Sequence, residues 1–439
     1  MLLFYSTGPA PRLTYIADTL LRDLSGIEVV YTNNADEFKA FDGAKISYAP
    51  YHIADDAFSI VPASEILFEQ QLCEQKIHIA EHSAYKVLFP SEGSDFSFDI
   101  FAASFFLLSR YEEYLPHRTD EYGRFAHTES LASKTSFLKQ PVIDFWLSDF
   151  QKALQVRFPF LFFAIKKFRF IPTYDIDIAY SYLHKGIARN TGGIVRSLLK
   201  GDITGIKERI DVITGKKEDP FDVYEWLYAL HLRYGLNPYY FFPVAGSTGE
   251  YDKNIDPALD EMQELIRYHA SGYNVGIHPS WQSGDDDALL PQEIKTLEDI
   301  IGRKVMYSRQ HYIRLTLPGT YRRLIEMGIH NEFSMGYGSI NGFRASIASP
   351  FYWYDLSREE KTSLLIYPFC FMDANAYHEE KLTPAQAFNE IRYYHDTIKK
   401  VNGTMITIWH NNFFGSDKMF EGWKEVYELF LKEVVYWDL

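Results

Sequence analysis

Cysteine is scarce in this chain: Cys73 and Cys370 are the only two among 439 residues. Small secreted domains that lack a large core depend on several disulfides, so the sequence predicts a fold that needs none. Long apolar runs are missing as well. The longest lie near Ile100–Leu108 and Phe160–Ile165, and both fall well short of the ~20 residues that a membrane-spanning helix needs. We therefore predict no transmembrane segment.

Positive charge is also in short supply. The 44 Lys and Arg residues face 59 Asp and Glu residues, which gives a net charge of -15. This excess of negative charge argues against a nucleic-acid backbone or an anionic membrane as the main partner. The first residues, MLLFYSTGPAPRL, lack the basic and apolar regions of a secretory signal, so we expect a cytoplasmic protein. No pattern in the sequence indicates the oligomeric state.

Apolar residues are abundant, at 46%, and 17% of all residues are aromatic. These proportions allow large cores, and the aromatic side chains suit either core packing or contacts with sugar rings. Residues 1–163 predict a small α/β domain, with a strand over Ile27–Thr32 and a buried helix over Phe98–Tyr114, and the sequence assigns this domain no role. Residues 164–439 predict strands alternating with helices, which is typical of a parallel sheet or a β/α barrel.

Local signals mark several element boundaries in the second part. Asp222, with a Glu three residues later, predicts the start of a helix that ends at Gly235. Thr383, followed by Pro and with a Gln three residues later, predicts another helix start. The apolar pattern of Phe343–Ile347 predicts a strand. The polar, glycine-containing stretch Lys185–Lys217 predicts no definite element.

Four predicted strands of the second part each lead into a residue that can bind a metal or carry a proton. Asp175 and Asp177 follow the first of them, and His278, His311 and His410 follow three others. An Asp pair alone is a common cap and a lone His is commonly structural, but the carboxyl ends of parallel strands meet at one edge of a sheet. One Asp with two His residues is a common ligand set for Zn²⁺ and similar ions. We therefore predict one shared site.

These residues also resemble the motifs of a known family. Thr173–Asp177, TYDID, stands where the polysaccharide deacetylases have Thr-Phe-Asp-Asp, and Ile406–His410, ITIWH, resembles their final motif, a strand ending Leu-x-His. His278 in GIHPS matches the His of their second motif. On these motifs, residues 164–439 resemble the NodB-homology fold of carbohydrate esterase family four.

A divergent bacterial branch of that superfamily carries an extra N-terminal α/β domain, and this chain resembles it. The segments that carry this resemblance are SRQHYIR (Ser308–Arg314), SMGYG (Ser334–Gly338), GFRA (Gly342–Ala345) and PFYWYDL (Pro350–Leu356). The resemblance implies an α/β fold in which a distorted (β/α) barrel over residues 164–439 follows a smaller α/β domain over residues 1–163.

The resemblance also implies a chemistry, namely metal-dependent removal of N-acetyl or O-acetyl groups from a carbohydrate or glycan precursor. Asp177, His278 and His311 would hold a divalent ion, zinc first, with cobalt, manganese or nickel as the alternatives. Asp175 would act as general base and His410 as general acid. The partner would be an acetylated sugar or glycan.

The chain departs from the family pattern at several positions. One residue is inserted between the two Asp residues of the first motif. Gln282 stands where a second His is expected, and His311 is the candidate replacement. Glu332 stands where an Asp is expected. The Arg of the third motif maps to Arg309 or Arg314, and we predict that Arg314 is the cation beside Asp175.

Four residues are predicted to contact the substrate. The alternative role of Trp281 is packing in the core or at the rim, and the alternative role of Arg344 is a structural ion pair. The four are Trp281, Arg309, Arg344 and Asp373.

Three other functions compete with this interpretation. The same fold can hydrolyse a non-sugar amide, which only substrate screening separates. Gln282 favours a catalytically inactive relative that binds a glycan or a protein, although such a relative has no physical reason to retain Asp175, Asp177 and His410. A glycosidase barrel would use the paired carboxylates but leaves the three strand-end His residues unexplained.

Overall fold

The computed structural model of the protein describes residues 1–82 and 85–435. Its strands are β1 (Leu2–Ser6), β2 (Val29–Thr32), β3 (Lys45–Tyr48), β4 (Phe58–Ile60), β5 (Ile79–His82), β6 (Tyr85–Leu88), β7 (Arg169–Asp175), β8 (Tyr239–Phe242), β9 (Asn274–Ile277), β10 (Tyr307–Ser308), β11 (Asn331–Glu332), β12 (Phe351–Asp355), β13 (Glu360–Ile366), β14 (Phe371–Met372) and β15 (Thr404–His410).

Helices surround these strands, and short 3₁₀ and π turns extend or join several of them. The helices are α1 (Pro11–Ala17), α2 (Ala35–Ala40), α3 (Ile100–Leu108), α4 (Leu131–Lys134), α5 (Val142–Arg157), α6 (Gly186–Leu199), α7 (Ile203–Ile213), α8 (Tyr224–Tyr234), α9 (Asp260–Gly272), α10 (Leu289–Ile301), α11 (Gly319–Glu326), α12 (Pro384–Lys399) and α13 (Trp423–Phe430). Within residues 1–82 and 85–435, each helix is too short or too polar to span a bilayer.

The first part of the chain builds a parallel sheet in the order β2-β1-β3-β4. Strand β1 is buried on both faces, since Leu2 and Phe4 lie in the main core while Leu3 and Tyr5 pack with Phe38 on the other side. Burial on both faces explains why LLFYS is a continuous apolar run instead of an alternating one.

The buried helix α3 ends earlier than the predicted Phe98–Tyr114. Its last residue is Leu108, and Arg110 then adopts a left-handed backbone conformation with φ 55°. That turn directs the Arg110 guanidinium to Glu113, which begins a buried charge cluster. The tertiary contacts of this arginine therefore outweigh the helical propensity of the apolar run.

The second part of the chain builds a larger sheet in the order β12-β13-β11-β10-β9-β8-β7-β15-β14, and every pairing in it is parallel except β12 with β13. The prediction of a mixed α/β fold with a parallel sheet is confirmed. The pairings found among the described residues run in one row from β12 to β14, so closure into a barrel stays a prediction, as does the domain boundary at 163.

Among the boundary signals, Gly235 ends α8 in a left-handed conformation and Thr383 forms the capping box of α12, as predicted. The predicted cap at Asp222 is wrong, because α8 begins at Tyr224 without a side-chain cap.

The predicted strand over Phe343–Ile347 is also wrong. The backbone of this buried segment bonds to the first part of the chain, where Phe343 N donates to the Leu138 carbonyl oxygen.

A buried ion pair joins the two parts of the chain. The Arg344 guanidinium donates to both carboxylate oxygens of Glu113, at 2.8 Å from Nε and 2.6 Å from Nη2, and its Nη1 donates to the Gly336 carbonyl oxygen at 3.1 Å. Arg344 is 1% exposed. The structure thus places Arg344 in an ion pair instead of a substrate contact.

Burial alone would raise the pKa of Glu113, but Arg344 and Arg110 outweigh it and lower that pKa to about 2 from 4.5. The pKa of Glu113 in the folded protein lies below its ordinary value. The ion pair therefore contributes its full stabilisation at any pH above that ordinary value. This contribution is lost as the pH falls towards 2.

We expect Arg344→Met to lower the free energy of unfolding by about 3 kcal/mol, because it leaves a buried carboxylate with one cation instead of two. Urea unfolding near pH 7 measures this loss. Arg358→Met is the matched control, since its side chain is 55% exposed and its ion-pair contacts are at 4.0 Å. Equal losses in the two variants would contradict a special role for the buried pair.

Candidate functional site

The carboxyl ends of four strands of the larger sheet hold the candidate site. Asp175 is the last residue of β7, and Asp177 lies two residues beyond it. His278 follows β9 directly, His311 follows β10 by three residues, and His410 is the last residue of β15. These strands lie in the order β10-β9-β8-β7-β15 and are parallel, so the structure brings the five side chains together at one edge.

Asp177 is the centre of this cluster. Its Oδ1 lies 3.2 Å from His278 Nε2, and its Oδ2 lies 3.5 Å from His311 Nε2 and 3.6 Å from His410 Nε2. One ligand atom from each of Asp177, His278 and His311 lies within 4.8 Å of the other two. Asp177 Oδ1 is buried and makes no hydrogen bond. One carboxylate and two imidazoles in this arrangement fit a divalent cation such as Zn²⁺.

In both histidines of this triad a hydrogen bond on Nδ1 fixes the orientation of the ring. His278 Nδ1 donates to the Arg309 carbonyl oxygen at 2.7 Å, and His311 Nδ1 donates to Asp252 Oδ1 at 3.1 Å. Each ring therefore turns its Nε2 towards Asp177. A hydrogen bond on the second ring nitrogen is the usual way in which proteins orient metal-binding histidines.

Asp252 is a residue that sequence reasoning missed, because the sequence around it reads as an ordinary turn. It lies in the loop after β8, at the same edge of the sheet, and it is 4% exposed. Besides His311 it accepts a hydrogen bond from Trp281 N at 3.0 Å. The only feature of the sequence that could have indicated a role in the site is its position in the loop after a neighbouring parallel strand.

The charges of the triad are strongly coupled. Burial would raise the pKa of Asp177, but His311, His278 and His410 outweigh it and hold that pKa well below its usual range. Burial would lower the pKa of His311, yet Asp177 and Asp252 raise it to about 9. Near neutral pH both ring nitrogens of His311 thus carry a proton, and a bound cation would have to displace the proton on Nε2.

Asp175 pairs with Arg309 beside the triad. Arg309 Nη1 lies 2.8 Å from Asp175 Oδ1 and also donates to Thr173 Oγ1 at 2.7 Å. The guanidinium is fully buried, 4.5 Å from the centre of the Phe241 ring.

This geometry corrects the prediction that Arg314 is the cation beside Asp175, and it places Arg309 beneath the site instead of against a substrate. Arg314 forms an ion pair with Asp285 and donates to the Trp281 carbonyl oxygen at 2.9 Å. The reason is the chain path after His311. Tyr312 and Ile313 both adopt left-handed conformations, with φ 57° and 55°, and this strained turn leads Arg314 away from β7.

His410 also lies beside the triad, on the strand next to that of Asp175, and is held by Asp373. His410 Nδ1 donates to Asp373 Oδ1 at 2.6 Å, and the His410 backbone N donates to Asp373 Oδ2 at 2.7 Å. Burial would lower the pKa of His410, but Asp373, Asp177 and Asp175 raise it to about 10. Asp373, predicted to contact a substrate, is fully buried and orients His410 instead.

A cavity of about 420 Å³ opens over Asp175, Asp177, His278, His311 and His410. Its other walls include Tyr122 and Arg124, from the first part of the chain, together with Tyr312 and Phe413. Arg124 Nη1 donates to the Tyr312 carbonyl oxygen at 2.7 Å. The sequence assigned no role to the first part, so this contribution to the cavity was missed.

Trp281 lies beside this cavity in an aromatic cluster. It stacks on Tyr251, with ring centres 4.1 Å apart, and contacts Tyr122 and Tyr312 edge-on. The Arg314 guanidinium lies 4.4 Å from its ring centre. Packing therefore accounts for most of the Trp281 ring surface, and the predicted sugar contact stays a prediction.

Residues 2–159 match a family of unknown function, DUF7033. No curated protein matches the chain. Among solved structures, a proposed polysaccharide deacetylase from Mycobacterium smegmatis is similar at 15% identity and a TM-score of 0.39, covering 61% of this chain and 84% of that one.

Two further solved structures each cover 61% of this chain. The polysaccharide deacetylase Bc1974 from Bacillus cereus has 10% identity, a TM-score of 0.30 and 88% of its own length covered. A GH57-type branching enzyme from the hyperthermophilic archaeon Pyrococcus horikoshii has 12% identity, a TM-score of 0.30 and 67% of its length covered. Similarities this low assign neither a family nor an activity, so the function has to be argued from the site.

Elemental analysis of the purified protein tests the triad. We expect about one equivalent of a divalent metal in the wild type and its loss in Asp177→Ala and His311→Ala, because each variant removes one of three protein ligands. Asp252→Asn should weaken the metal affinity about 10- to 100-fold, since it frees the His311 ring. His330→Ala, an exposed histidine, is the control. Full metal content in His311→Ala would move the third ligand elsewhere.

Proposed function

We propose that this protein is a metal-dependent hydrolase that removes acetyl groups, N-linked or O-linked, from a carbohydrate or glycan precursor. One observation carries this proposal. The Asp177, His278 and His311 triad lies next to both a carboxylate paired with an arginine, Asp175, and a histidine paired with a carboxylate, His410. A base and an acid beside a metal site are what amide or ester hydrolysis requires.

The triad would hold the metal ion, for which zinc is the first candidate and cobalt, manganese or nickel are alternatives. When bound, such an ion supplies a Lewis acid for the acetyl carbonyl and lowers the pKa of a water molecule. The remaining chemistry falls to side chains of the protein.

Asp175 is the proposed general base. Its Oδ2 lies 3.9 Å from His278 Nε2, so this carboxylate oxygen faces the triad, while its Oδ1 is held by Arg309. The arginine fixes the orientation of this carboxylate. Asp175 would take a proton from the attacking water as the new C–O bond forms.

His410 is the proposed general acid. Its Nδ1 is bound to Asp373, so its Nε2 carries the proton that faces the cavity. After the tetrahedral intermediate forms, His410 would donate this proton to the leaving amine or hydroxyl oxygen while the C–N or C–O bond breaks. The products are acetate and the free amino sugar or alcohol.

The cavity walls support a sugar as the substrate. Tyr122, Tyr312 and Phe413 line the cavity, and aromatic rings pack against the apolar faces of sugar rings. Arg124 and Asn412 provide polar groups for the sugar hydroxyls. A simple aliphatic amide has no sugar ring against which these aromatic side chains could pack.

Release of acetate measures this activity directly. We expect the metal-loaded protein to release acetate from N-acetylglucosamine oligomers or from O-acetylated sugars. Asp175→Asn should lower turnover about 10²- to 10⁴-fold while the metal content is unchanged, because the base is lost but no ligand is. Release only from non-sugar amides would favour that alternative. A metal-loaded protein that acts on none of these substrates would refute the proposal and favour a binding protein.

The pH profile tests the roles of His410 and Asp373. A general acid must be protonated, so activity is lost as the pH rises through its pKa, and Asp373 raises that pKa. Asp373→Asn should therefore shift the alkaline limb of the kcat profile to lower pH by about one unit or more. Asp299→Asn, on the exposed face of α10, is the control. An unchanged alkaline limb would contradict the assignment of His410 as the acid.

A further inference from the structure

Lys185–Lys217, the stretch to which the sequence assigned no element, forms a helical hairpin. Helix α6 ends at Leu199, and α7 begins at Ile203 after a short turn. Helix α6 has no buried residue and α7 has one, Val212. We call residues 185–217 the basic hairpin. A helix pair of this length that buries one residue in its own fold leaves most of its surface for another contact.

The exposed surface of the basic hairpin is apolar to an unusual degree. Ile187 is 87% exposed, Leu199 is 85% exposed and Ile203 is 75% exposed. Single exposed apolar residues are ordinary, but here they recur at helical spacing along both helices and meet at the tip. The other exposed members are Val195, Leu198, Ile210 and Ile213.

The same hairpin is strongly basic. It contains eight Lys or Arg residues and three Asp or Glu residues, a net charge of +5 within a chain of net charge -15. Among the described residues, Lys217 is the only one of these cations with a carboxylate within 4.0 Å, that of Glu208. The seven others include Arg196, Lys200, Lys207 and Lys216. The whole-chain charge thus hides a local surface of the opposite sign.

We propose that the basic hairpin binds the surface of an anionic lipid bilayer, with its apolar residues at the boundary between headgroups and acyl chains. Exposed apolar side chains beside unpaired Lys and Arg are typical of helices that lie in that interface. An isologous contact with the hairpin of a second copy would bring two surfaces of charge +5 together, which charge repulsion opposes. An acidic bilayer satisfies both the apolar and the basic feature at once.

The hairpin lies next to the candidate site. Lys185, Gly186 and Arg189, from its first turns, line a cavity of about 390 Å³ whose wall also includes Asp177 and His311. A bilayer bound to the hairpin would lie beside this cavity. If the chain is the deacetylase proposed above, its substrate is then an acetylated sugar carried on a lipid. This consequence rests on the proposed function, whereas membrane binding itself does not.

Co-sedimentation with vesicles tests the membrane proposal on the full-length protein. We expect it to bind vesicles of equal parts phosphatidylglycerol and phosphatidylcholine, to bind phosphatidylcholine alone much more weakly, and to dissociate from the anionic vesicles as salt is raised. The measurement needs neither metal nor turnover, so its failure is distinct from a failure of the hydrolase proposal.

Two variants separate the charge from the apolar surface. Lys200→Gln with Lys207→Gln should weaken binding about 25-fold, since each basic residue near the bilayer contributes about fivefold. Leu199→Asp with Ile203→Asp should weaken it at least about tenfold. The matched controls, elsewhere on the surface, are Lys295→Gln with Lys304→Gln and Leu232→Asp, which should bind as the wild type does.

Three outcomes would overturn the proposal. The wild type fails to bind anionic vesicles, the hairpin variants bind as well as the wild type, or the protein is a dimer that Leu199→Asp with Ile203→Asp dissociates while vesicle binding is absent. Circular dichroism on each variant shows that its helices are retained. A variant that loses helix is replaced by Leu198→Ser with Leu199→Ser, for which the same loss of binding is expected.

Discussion

The parallel pairing of β7 with β15 is the constraint on which the candidate site depends. Seven residue pairs align the two strands, and the last of them sets Asp175 opposite His410. Side chains alternate along a strand, so a slip of one residue would turn His410 to the other face of the sheet. The parallel neighbours β8 and β9 extend the same arrangement and bring His278 to the same edge. The chemistry of the site is in this sense a property of strand register.

A second layer of buried polar groups holds the side chains that register alone leaves free to rotate. Arg309 orients Asp175, Asp252 orients His311, and Asp373 orients His410. Arg309 follows β10 directly, Asp252 lies in the loop after β8, and Asp373 follows β14 directly. Each removes rotational freedom before a substrate arrives, and this preorganisation is what makes electrostatic stabilisation effective. A charge buried without such a partner would cost several kcal/mol.

Several contacts couple the first part of the chain to the second. The buried pair of Glu113 with Arg344 joins them in the core, and Tyr122 and Arg124 form part of the cavity wall. The site also adjoins the basic hairpin. The edge of the larger sheet that holds the site therefore faces the first part of the chain, the cavity and the hairpin.

Sequence alone determined what depends on neighbouring residues. Asp175, Asp177, His278, His311 and His410 were found because apolar strands lead directly into them. Gly235 and the capping box at Thr383 were found because their signals act within four residues.

Tertiary structure alone decided what depends on residues far apart in the chain. Arg309 replaced Arg314 beside Asp175 because a strained turn redirects the chain. Asp252 became a partner of His311 across 59 positions. Arg344 became half of an ion pair that spans 231 positions. Local periodicity reports which face of a strand is buried, whereas the partner of a buried charge is selected by packing between elements, and no local pattern encodes that selection.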